Sequence, residues 1–492
     1  MSGFDMTDTI CAPATVLGTG AISIVRVSGA DALEMADRVV KFRKGAAASS
    51  EGYTLKYGTV YDGDKVLDDV IVSIYRAPHS YTGEDSVEIS CHASAYIGSR
   101  LLELLCDAGC RLAEPGEFTR RAFAGGKMDL AQAEAVADVI AARSGASLRV
   151  AMDQLRGGYS RKLRELREEL LRITSLMELE LDFSEEDVEF ADRRQLQSLV
   201  ADAVGHITAL ADSFRDGNAI KNGIPVAIVG AANAGKSTLL NTLLGEERAI
   251  VSEIAGTTRD TIEETMVLDG LTYRFIDTAG IRGTEDKIEQ IGISRAYESL
   301  SAADVVLVLV DATMGLEEAR NSMEEIMPHV DEQRQAFIVL RSKVDVFDAI
   351  NPEEFPGKDT AYGILDIKYP AFGTFDKTPD ALAEALGVRE VMDISAKTGE
   401  GIDGLRQWLA ASQRDRFGAG SETLVTNVRH YNALRRAGES LDAIGKGLTA
   451  GLPTDLVAQD LREALHHLGT ITGDISTDEV LGQIFSKFCV GK

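Results

Sequence analysis

The stretch VGAANAGKSTLLN, residues 229–241, constrains the fold of this chain more than any other feature. From Gly230 to Ser237 it carries the spacing Gly-x-x-x-x-Gly-Lys-Ser, with the apolar run VAIVG leading into it and a helix-forming run after it. A strand that turns into a helix through such a loop points backbone N–H groups at a bound β-phosphate, and the helix N-terminus adds its partial positive charge. Gly230 and Gly235 permit the tight wrap; Asn233, Ala234 and Thr238 line it; Lys236 reaches the β- and γ-phosphates; Ser237 ligates magnesium. Further strand-like runs, YRFIDTAG, DVVLVLVDA, AFIVLRSKVD and EVMDIS, alternate with helical spacing downstream. This order predicts a parallel α/β nucleotide-binding sheet.

The remaining nucleotide contacts follow from the ends of those strands. DTAG, 277–280, supplies Asp277 for the magnesium shell and the Gly280 N–H for the γ-phosphate, with Thr278 and Ala279 in the same turn. SKVD, 342–345, and SAK, 395–397, are the candidate base-recognition loops: Ser342, Lys343, Asp345, Ser395, Ala396 and Lys397. A carboxylate at Asp345 accepts from both N1–H and the exocyclic amine of guanine, whereas adenine has neither donor there and leaves it unpaired, so GTP is the expected nucleotide. Ser342 stands where Asn-Lys-x-Asp loops have asparagine. The residue after DTAG is Ile281, which cannot orient a water as the glutamine of many regulatory GTPases does. Asn233 and SEIAGTTRD, 252–260, are instead placed to hold a monovalent cation beside the phosphates, doing the electrostatic work of an arginine finger. In EDKIEQIG, Glu285 and Glu289 are candidate water-orienting carboxylates; taken alone, each reads as a solvated helix face, and so does Arg282.

The chain is too long for this domain alone. Its 492 residues correspond to about three domains, and 45% hydrophobic with 26% charged residues is ordinary globular composition. Residues 1–126 alternate short strand runs such as AISIVRVSG, DDVIVSIYRAP and SVEISCHAS with helical stretches, an α+β pattern. From Asp129 the spacing becomes helical: Leu130, Ala133, Ala137 and Ile140, then Leu163, Leu166, Leu170, Ile173 and Met177, then Leu196, Val200, Ile207, Leu210 and Phe214. Helical spacing returns after about residue 415, where STDEVLGQIFSKF opens with a Ser476/Glu479 capping box. The expected layout is therefore an N-terminal domain over 1–126, a helical domain over 127–218 and 415–492, and the nucleotide-binding domain, 219–414, inserted into it. The five cysteines show no Cys-x-x-Cys pair, no run reaches membrane-spanning length, and the start MSGFDMTDTI is not a signal peptide, so reduced thiols and a cytoplasmic location without membrane attachment are expected. A net charge of −27 argues against broad non-specific nucleic-acid binding; any RNA contact is expected to be local or shared with a partner.

NAGKSTLLN, IAGTTRD and DTAGIR occur together with YTGEDSVEISCH (81–92), PGEFTRRAF (115–123), KMDLAQAEAVADVI (127–140) and the terminal FCVGK. In this combination, over its whole length, the chain resembles the MnmE (TrmE) family of tRNA-modification GTPases. The resemblance implies a multidomain fold: an α+β N-terminal folate-binding and dimerisation domain, an all-α helical domain and an inserted Ras-like α/β P-loop GTPase domain. It implies a homodimer that, in a heterotetramer or larger complex with the flavoprotein MnmG, adds an aminomethyl or carboxymethylaminomethyl group to C5 of the wobble uridine of certain tRNAs. A reduced folate of the 5-formyl- or methylene-tetrahydrofolate type supplies the one-carbon unit, at positions matching Arg26, Glu88, Lys127 and Lys492. Potassium ligands fall at Asn233, Ser252, Ile254 and Thr257, magnesium ligands at Ser237 and Thr258, and Glu289 matches the water-orienting glutamate. Ser342, Glu114 before PGEF, and the long stretch between Asp345 and Ser395 depart from the family pattern. The rival reading is an assembly or ribosome-associated GTPase acting as a conformational switch, which has no need of a folate constellation.

The tail FSKFCVGK fails the prenylation pattern at Gly491 and Lys492. If Lys492 meets a folate, the tail folds back toward the N-terminal domain of its own or a partner subunit, carrying Cys489, a candidate participant in the modification, toward the one-carbon unit. For hydrolysis, the cation reading predicts that GTP turnover is roughly 10²-fold faster in potassium than in sodium, the size of one well-placed electrostatic contact. Asn233→Ala is expected to abolish most of that difference, and equal wild-type rates in the two salts would contradict the reading.

Overall fold

The computed structural model describes residues 7–16, 18–182, 193–231, 233–245, 264–276, 299–349, 379–417, 423–486 and 488–491. It divides into two compact units: Met1–Ala141, Ala151–Ala211 and Val428–Lys492 form one, Ala142–Val150 and Asp212–Asn427 the other. Among the described residues, no helix is long and apolar enough to cross a membrane.

The first unit contains a sheet of strands β1 (Ile10–Pro13), β2 (Ile22–Ser28), β3 (Val40–Phe42), β4 (Thr54–Asp62), β5 (Lys65–Tyr75), β6 (Ser86–His92) and β7 (Arg111–Leu112), in the order β3-β4-β5-β6-β2-β1-β7. Period-two alternation decides its two faces. Val25, Val27, Val70, Val72, Val87 and Ile89 point to a core closed by the helices Ala32–Val39 and Ala95–Ala108. The opposite face carries Arg26 and Glu88, which the antiparallel register sets directly across from one another, in one row with Ser73 and Leu55. The adjoining row of that face holds Tyr57 and Ile71, 39% and 48% exposed.

The same unit contains the helices Leu130–Ala141, Gly158–Asp182, Arg193–Asp212, Val428–Thr449, Thr454–Thr472 and Asp478–Phe485. Leu163, Leu166, Leu170, Ile173 and Met177 are all buried, as their spacing demands. Two local expectations are corrected. The stripe that ran from Leu196 to Phe214 in sequence is broken after Asp212, and Phe214 opens a separate helix, Phe214–Asn222, in the second unit. The N-cap near residue 476 is Thr477, whose hydroxyl accepts from the Val480 N–H, because the helix starts one residue later than the Ser476/Glu479 box requires.

The second unit is a sheet of β8 (Ile224–Gly230), β9 (Glu264–Leu268), β10 (Leu271–Ile276), β11 (Val305–Asp311), β12 (Ala336–Ser342) and β13 (Val391–Asp393), ordered β13-β12-β11-β8-β10-β9. All neighbours are parallel except β9 and β10. In β11, Val305, Leu307 and Leu309 enter one core while Val306, Val308 and Val310 enter the other, the double burial of a central parallel strand. The helix Lys236–Gly245 anchors itself to the first core through Leu239, Leu240 and Leu243.

In the helical part of the first unit, Glu134 is nearly buried, with its carboxylate 2.6 Å from His430 Nε2 and 3.0 Å from Arg429 Nη2. Tyr159 stacks on the His430 ring with centroids 5.3 Å apart. Burial raises the Glu134 pKa, but His430 and Arg429 outweigh it and hold the carboxyl at about 2. Against an unfolded value of ~4.3, this is worth roughly 3 kcal/mol above the unfolded pKa and is lost as pH falls through that value toward 2. Glu134→Gln is therefore expected to destabilise the chain by about that amount at pH 7. Urea unfolding of both proteins from pH 7 down to 3 should show the gap closing with acid; a pH-independent gap would refute the account.

Candidate functional site

The parallel register brings the ends of β8, β11 and β12 to one edge: Leu309 pairs with Gly230 and Asp311 with Ser342. There β8 passes into the phosphate loop. Gly230 has φ +149°, and a Cβ built on it would lie 2.4 Å from the Leu309 carbonyl oxygen, so only glycine lets the strand turn here. Asn233 adopts φ +63° and Gly235 +97°, a left-handed turn that aims successive N–H groups inward. Lys236 Nζ donates to the carbonyls of Gly230 at 2.7 Å and Ala231 at 2.8 Å, and burial lowers its pKa. A phosphate oxygen is a stronger acceptor than either neutral carbonyl, so the ammonium is poised to exchange them for an anion.

Beside the loop lies a cavity of about 230 Å³, lined by Gly235, Ser342, Lys343, Asp345, Ala396 and Lys397 among others. Asp345 Oδ1 accepts from the Ser395 hydroxyl at 2.8 Å, which orients the carboxylate. Ser395 is fully buried, and its Oγ also accepts the Thr398 N–H. Thr242, on the helix that leaves the phosphate loop, donates to the Ala396 carbonyl at 2.8 Å and so fixes the SAK turn to that helix. Lys343, at φ +62°, places Nζ 2.6 Å from Asp311 Oδ2. Burial raises the Asp311 pKa, but Lys343 and both donors of Thr313 overcome it and leave the carboxyl below its usual range. The sequence reading overlooked Asp311 and Thr242. The only signal for Asp311 was a carboxylate at the end of an otherwise apolar strand, and Thr242 gave none.

The structure thus brings together the P-loop residues, Ser342, Lys343, Asp345, Ser395, Ala396 and Lys397. Ser252, Ile254, Thr257, Thr258, Asp277, Thr278, Ala279, Gly280, Ile281, Arg282, Glu285, Glu289 and Lys492 lie outside the described residues.

A second cluster sits on the open face of the first unit's sheet. Arg26 Nε and Nη2 both bond Glu88 Oε1, at 3.0 and 2.8 Å, and the Tyr75 hydroxyl reaches Glu88 Oε2 at 3.5 Å. The guanidinium lies 5.1 Å from the centre of the Tyr81 ring and 5.6 Å from that of Phe118. Its Nη1 donates to the Gly491 carbonyl at 3.5 Å. Gly491 of the same chain therefore lies beside Arg26. This segment is anchored by Phe485 and Phe488, which pack with Leu130, Ala133 and Val136, and by the Gly116 N–H donating to the Cys489 carbonyl. Cys489 itself is exposed. Lys127 is tied elsewhere, its Nζ donating to the Pro78 carbonyl at 2.9 Å and its stem lying over Gly83.

A parallel sheet whose strand ends present a Gly-x-x-x-x-Gly-Lys-Ser loop, a buttressed Ser-Lys-x-Asp carboxylate and a Ser-Ala-Lys turn defines a P-loop GTPase. Residues 9–127 match the model of the GTP-binding protein TrmE N-terminus, and residues 130–489, a span that includes that unit, match that of the MnmE helical domain. The tRNA modification GTPase MnmE of Christiangramia forsetii is 47% identical over 493 residues, spanning 99% of this chain and 100% of that protein. That of Bacteroides fragilis strain ATCC 25285 is 46% identical over 487 residues, 99% of each chain. The solved G domain of the T. maritima FeoB iron transporter is 23% identical and covers 38% of this chain and 97% of its own, with a TM-score of 0.25, too slight a likeness to bear on the assignment. The chain belongs to the MnmE family of tRNA modification GTPases.

Gly491 is buried at φ +97°, and a Cβ there would stand 2.0 Å from the Pro13 carbonyl oxygen. Gly491→Ala is expected to lift the tail off Arg26 without disturbing the distant core. Carboxypeptidase should then remove the last residues much faster than from the unaltered chain at unchanged melting temperature; equal digestion rates would show that the tail does not depend on this contact.

Proposed function

We propose that this protein hydrolyses GTP and couples that reaction to modification of C5 of the wobble uridine in tRNA, working in the cytoplasm. The observation that carries the proposal is the pocket joining the phosphate loop to the Asp345 carboxylate, held ready by Ser395. Asp345 accepts from N1–H and the 2-amino group of guanine, while Lys343, neutralised by Asp311, covers the base with its stem. The loop N–H groups and Lys236 take the β- and γ-phosphate oxygens. Magnesium, held by Ser237 and Thr258 with Asp277 in its outer shell, would spread the charge on the terminal phosphates. Potassium would add positive charge between them. Asn233 suits that ion: it sits within the phosphate loop in a left-handed turn, φ +63°, and its amide carries a neutral oxygen of the kind potassium takes. Ser252, Ile254 and Thr257 complete the proposed cation shell, and Glu289 orients the attacking water, with Thr278, Ala279 and Gly280 closing on the γ-phosphate.

The sheet face with Arg26 and Glu88 is the proposed folate site. A folate bound there supplies a one-carbon unit. Glu88 accepts from pterin N–H donors, and the ion pair with Arg26 aims that carboxylate. Lys127 and Lys492 meet the acidic tail of the folate, and Cys489 faces the reacting region. Leu55, Tyr57, Val66 and Ile71 are exposed on the same unit. Leu55, Tyr57 and Ile71 share the face of Arg26, and apolar area of this kind is what a second copy of the chain would cover in a homodimer. A flavoprotein of the MnmG type is the proposed redox partner, and tRNA contacts are local, given the net charge of −27.

Asp345→Asn tests the central claim, because its amide oxygen keeps the N1–H bond while its NH₂ faces the 2-amino group, which removes one bond and adds a clash of donors. GTP affinity is expected to fall by about 10²-fold, some 3 kcal/mol, while xanthosine triphosphate, which presents an acceptor there, gains. Nucleotide competition measures both. Unchanged preference for GTP would remove Asp345 from base recognition, and normal wobble uridines by mass spectrometry in a strain lacking the protein would remove the modification role.

A further inference from the structure

Ser342 is 4% exposed and ends β12, between the phosphate loop and the Asp345 turn. Its Oγ lies 2.8 Å from the carbonyl oxygen of Ala234, inside the phosphate loop, and 3.3 Å from that of Val310. Both neighbours are acceptors only, so the one hydroxyl proton is committed to backbone, chiefly to the closer Ala234 carbonyl, and what Ser342 can offer to anything else is a lone pair. A guanine whose N1–H and 2-amino edge sits on Asp345 turns its five-membered ring back toward the phosphate loop, the side on which Ser342 stands. N7 on that ring is also a pure acceptor, and two acceptors facing each other make no bond. The nearby ammonium of Lys343 is engaged by Asp311 at 2.6 Å. An asparagine amide at this position would have two N–H donors and could serve the loop carbonyl and the base together; a serine hydroxyl has one.

We propose that Ser342 is a positioning residue that pins the phosphate loop to the end of β12 and leaves N7 of the base unread, so that N7 adds nothing to the recognition of guanine that begins at its N1–H and 2-amino edge. This inference rests on the GTP reading given above and adds a specificity to it: the site is indifferent to the atom at position 7 of the purine. Purines with nitrogen or carbon there are bound alike, while any change on the N1/2-amino edge is not tolerated.

The test is equilibrium binding of GTP, 7-deaza-GTP and ATP to the full chain, to Ser342→Asn and to Ser342→Ala. In the unaltered chain GTP and 7-deaza-GTP are expected to bind within about twofold of each other, with ATP far weaker. Ser342→Asn should tighten GTP about 3- to 10-fold, one neutral hydrogen bond, and leave 7-deaza-GTP where it was, a split that a purely structural effect would not produce. Ser342→Ala, which lacks the loop tether, should weaken both guanine nucleotides by the same factor. If GTP outcompetes ATP but 7-deaza-GTP trails GTP tenfold in the unaltered chain, N7 is read and the inference falls while the GTP reading stands. Equal shifts of both guanine nucleotides in Ser342→Asn also overturn it. If ATP binds as well as GTP, or no nucleotide binds, it is the GTP reading that fails.

Discussion

Gly230 lies against the Leu309 carbonyl more closely than any side chain would allow, and the arrangement of the nucleotide site depends on that approach. Because β8 and β11 run in parallel register with Leu309 beside Gly230, the phosphate loop leaves the sheet at the level where β11 ends in Asp311 and β12 in Ser342. Ligands in open parallel sheets collect at such strand ends, since the loops there are free of ladder hydrogen bonds and can turn their N–H groups outward. Ser342 then bonds the loop, Asp311 takes Lys343, and Ser395 takes Asp345. These side chains of the site are thus paired before any base arrives, and that preorganisation lowers the ordering cost of binding.

The first unit solves a different problem by the same means. An antiparallel sheet with one covered face leaves the other free, and alternation along β2 and β6 places Arg26 and Glu88 on the free side and valine and isoleucine on the covered side. Opposite charges directly across strands attract, and the two aromatic rings beside Arg26 shield the pair from water. The tail reaches this point because Phe485 and Phe488 bury themselves against the helix Leu130–Ala141, which leaves two residues, Cys489 and Val490, to span the gap to Gly491. A segment of the kind that usually frays is held beside Arg26 by two buried phenylalanines and one glycine.

The acidic character of the chain shapes both sites. With 51 basic and 78 acidic residues, an arginine or lysine in this protein usually finds a carboxylate: Arg26 finds Glu88, Lys343 finds Asp311, and Arg429 finds Glu134. The cations at the candidate sites are therefore aimed by carboxylates rather than standing as bare charge. This favours binding of particular ligands in defined orientations over general attraction to polyanions.

The sequence by itself determined the phosphate loop, the carboxylate at Asp345 and the helical stripes, because each rests on contacts within a few residues: a glycine spacing, a strand that turns into a helix, a 3.6-residue period. Arg26 and Lys127 are legible only through resemblance, since by themselves they read as ordinary surface charges. Tertiary structure decided what depends on register and on chain reversal. It alone put Glu88 across from Arg26, 62 residues apart, and laid Gly491 beside Arg26, 465 residues away. It set Asp311 on Lys343 and Thr242 on the SAK turn, although neither belongs to a recognisable pattern. It moved the last N-cap from Ser476 to Thr477 and broke the long stripe before Phe214, because packing against neighbours, absent from local propensity, fixes where a helix can begin and end. It also spent the one donor of Ser342 on the Ala234 carbonyl, a commitment that no spacing of residues reveals, because a hydroxyl's partner is whichever acceptor the fold brings within reach.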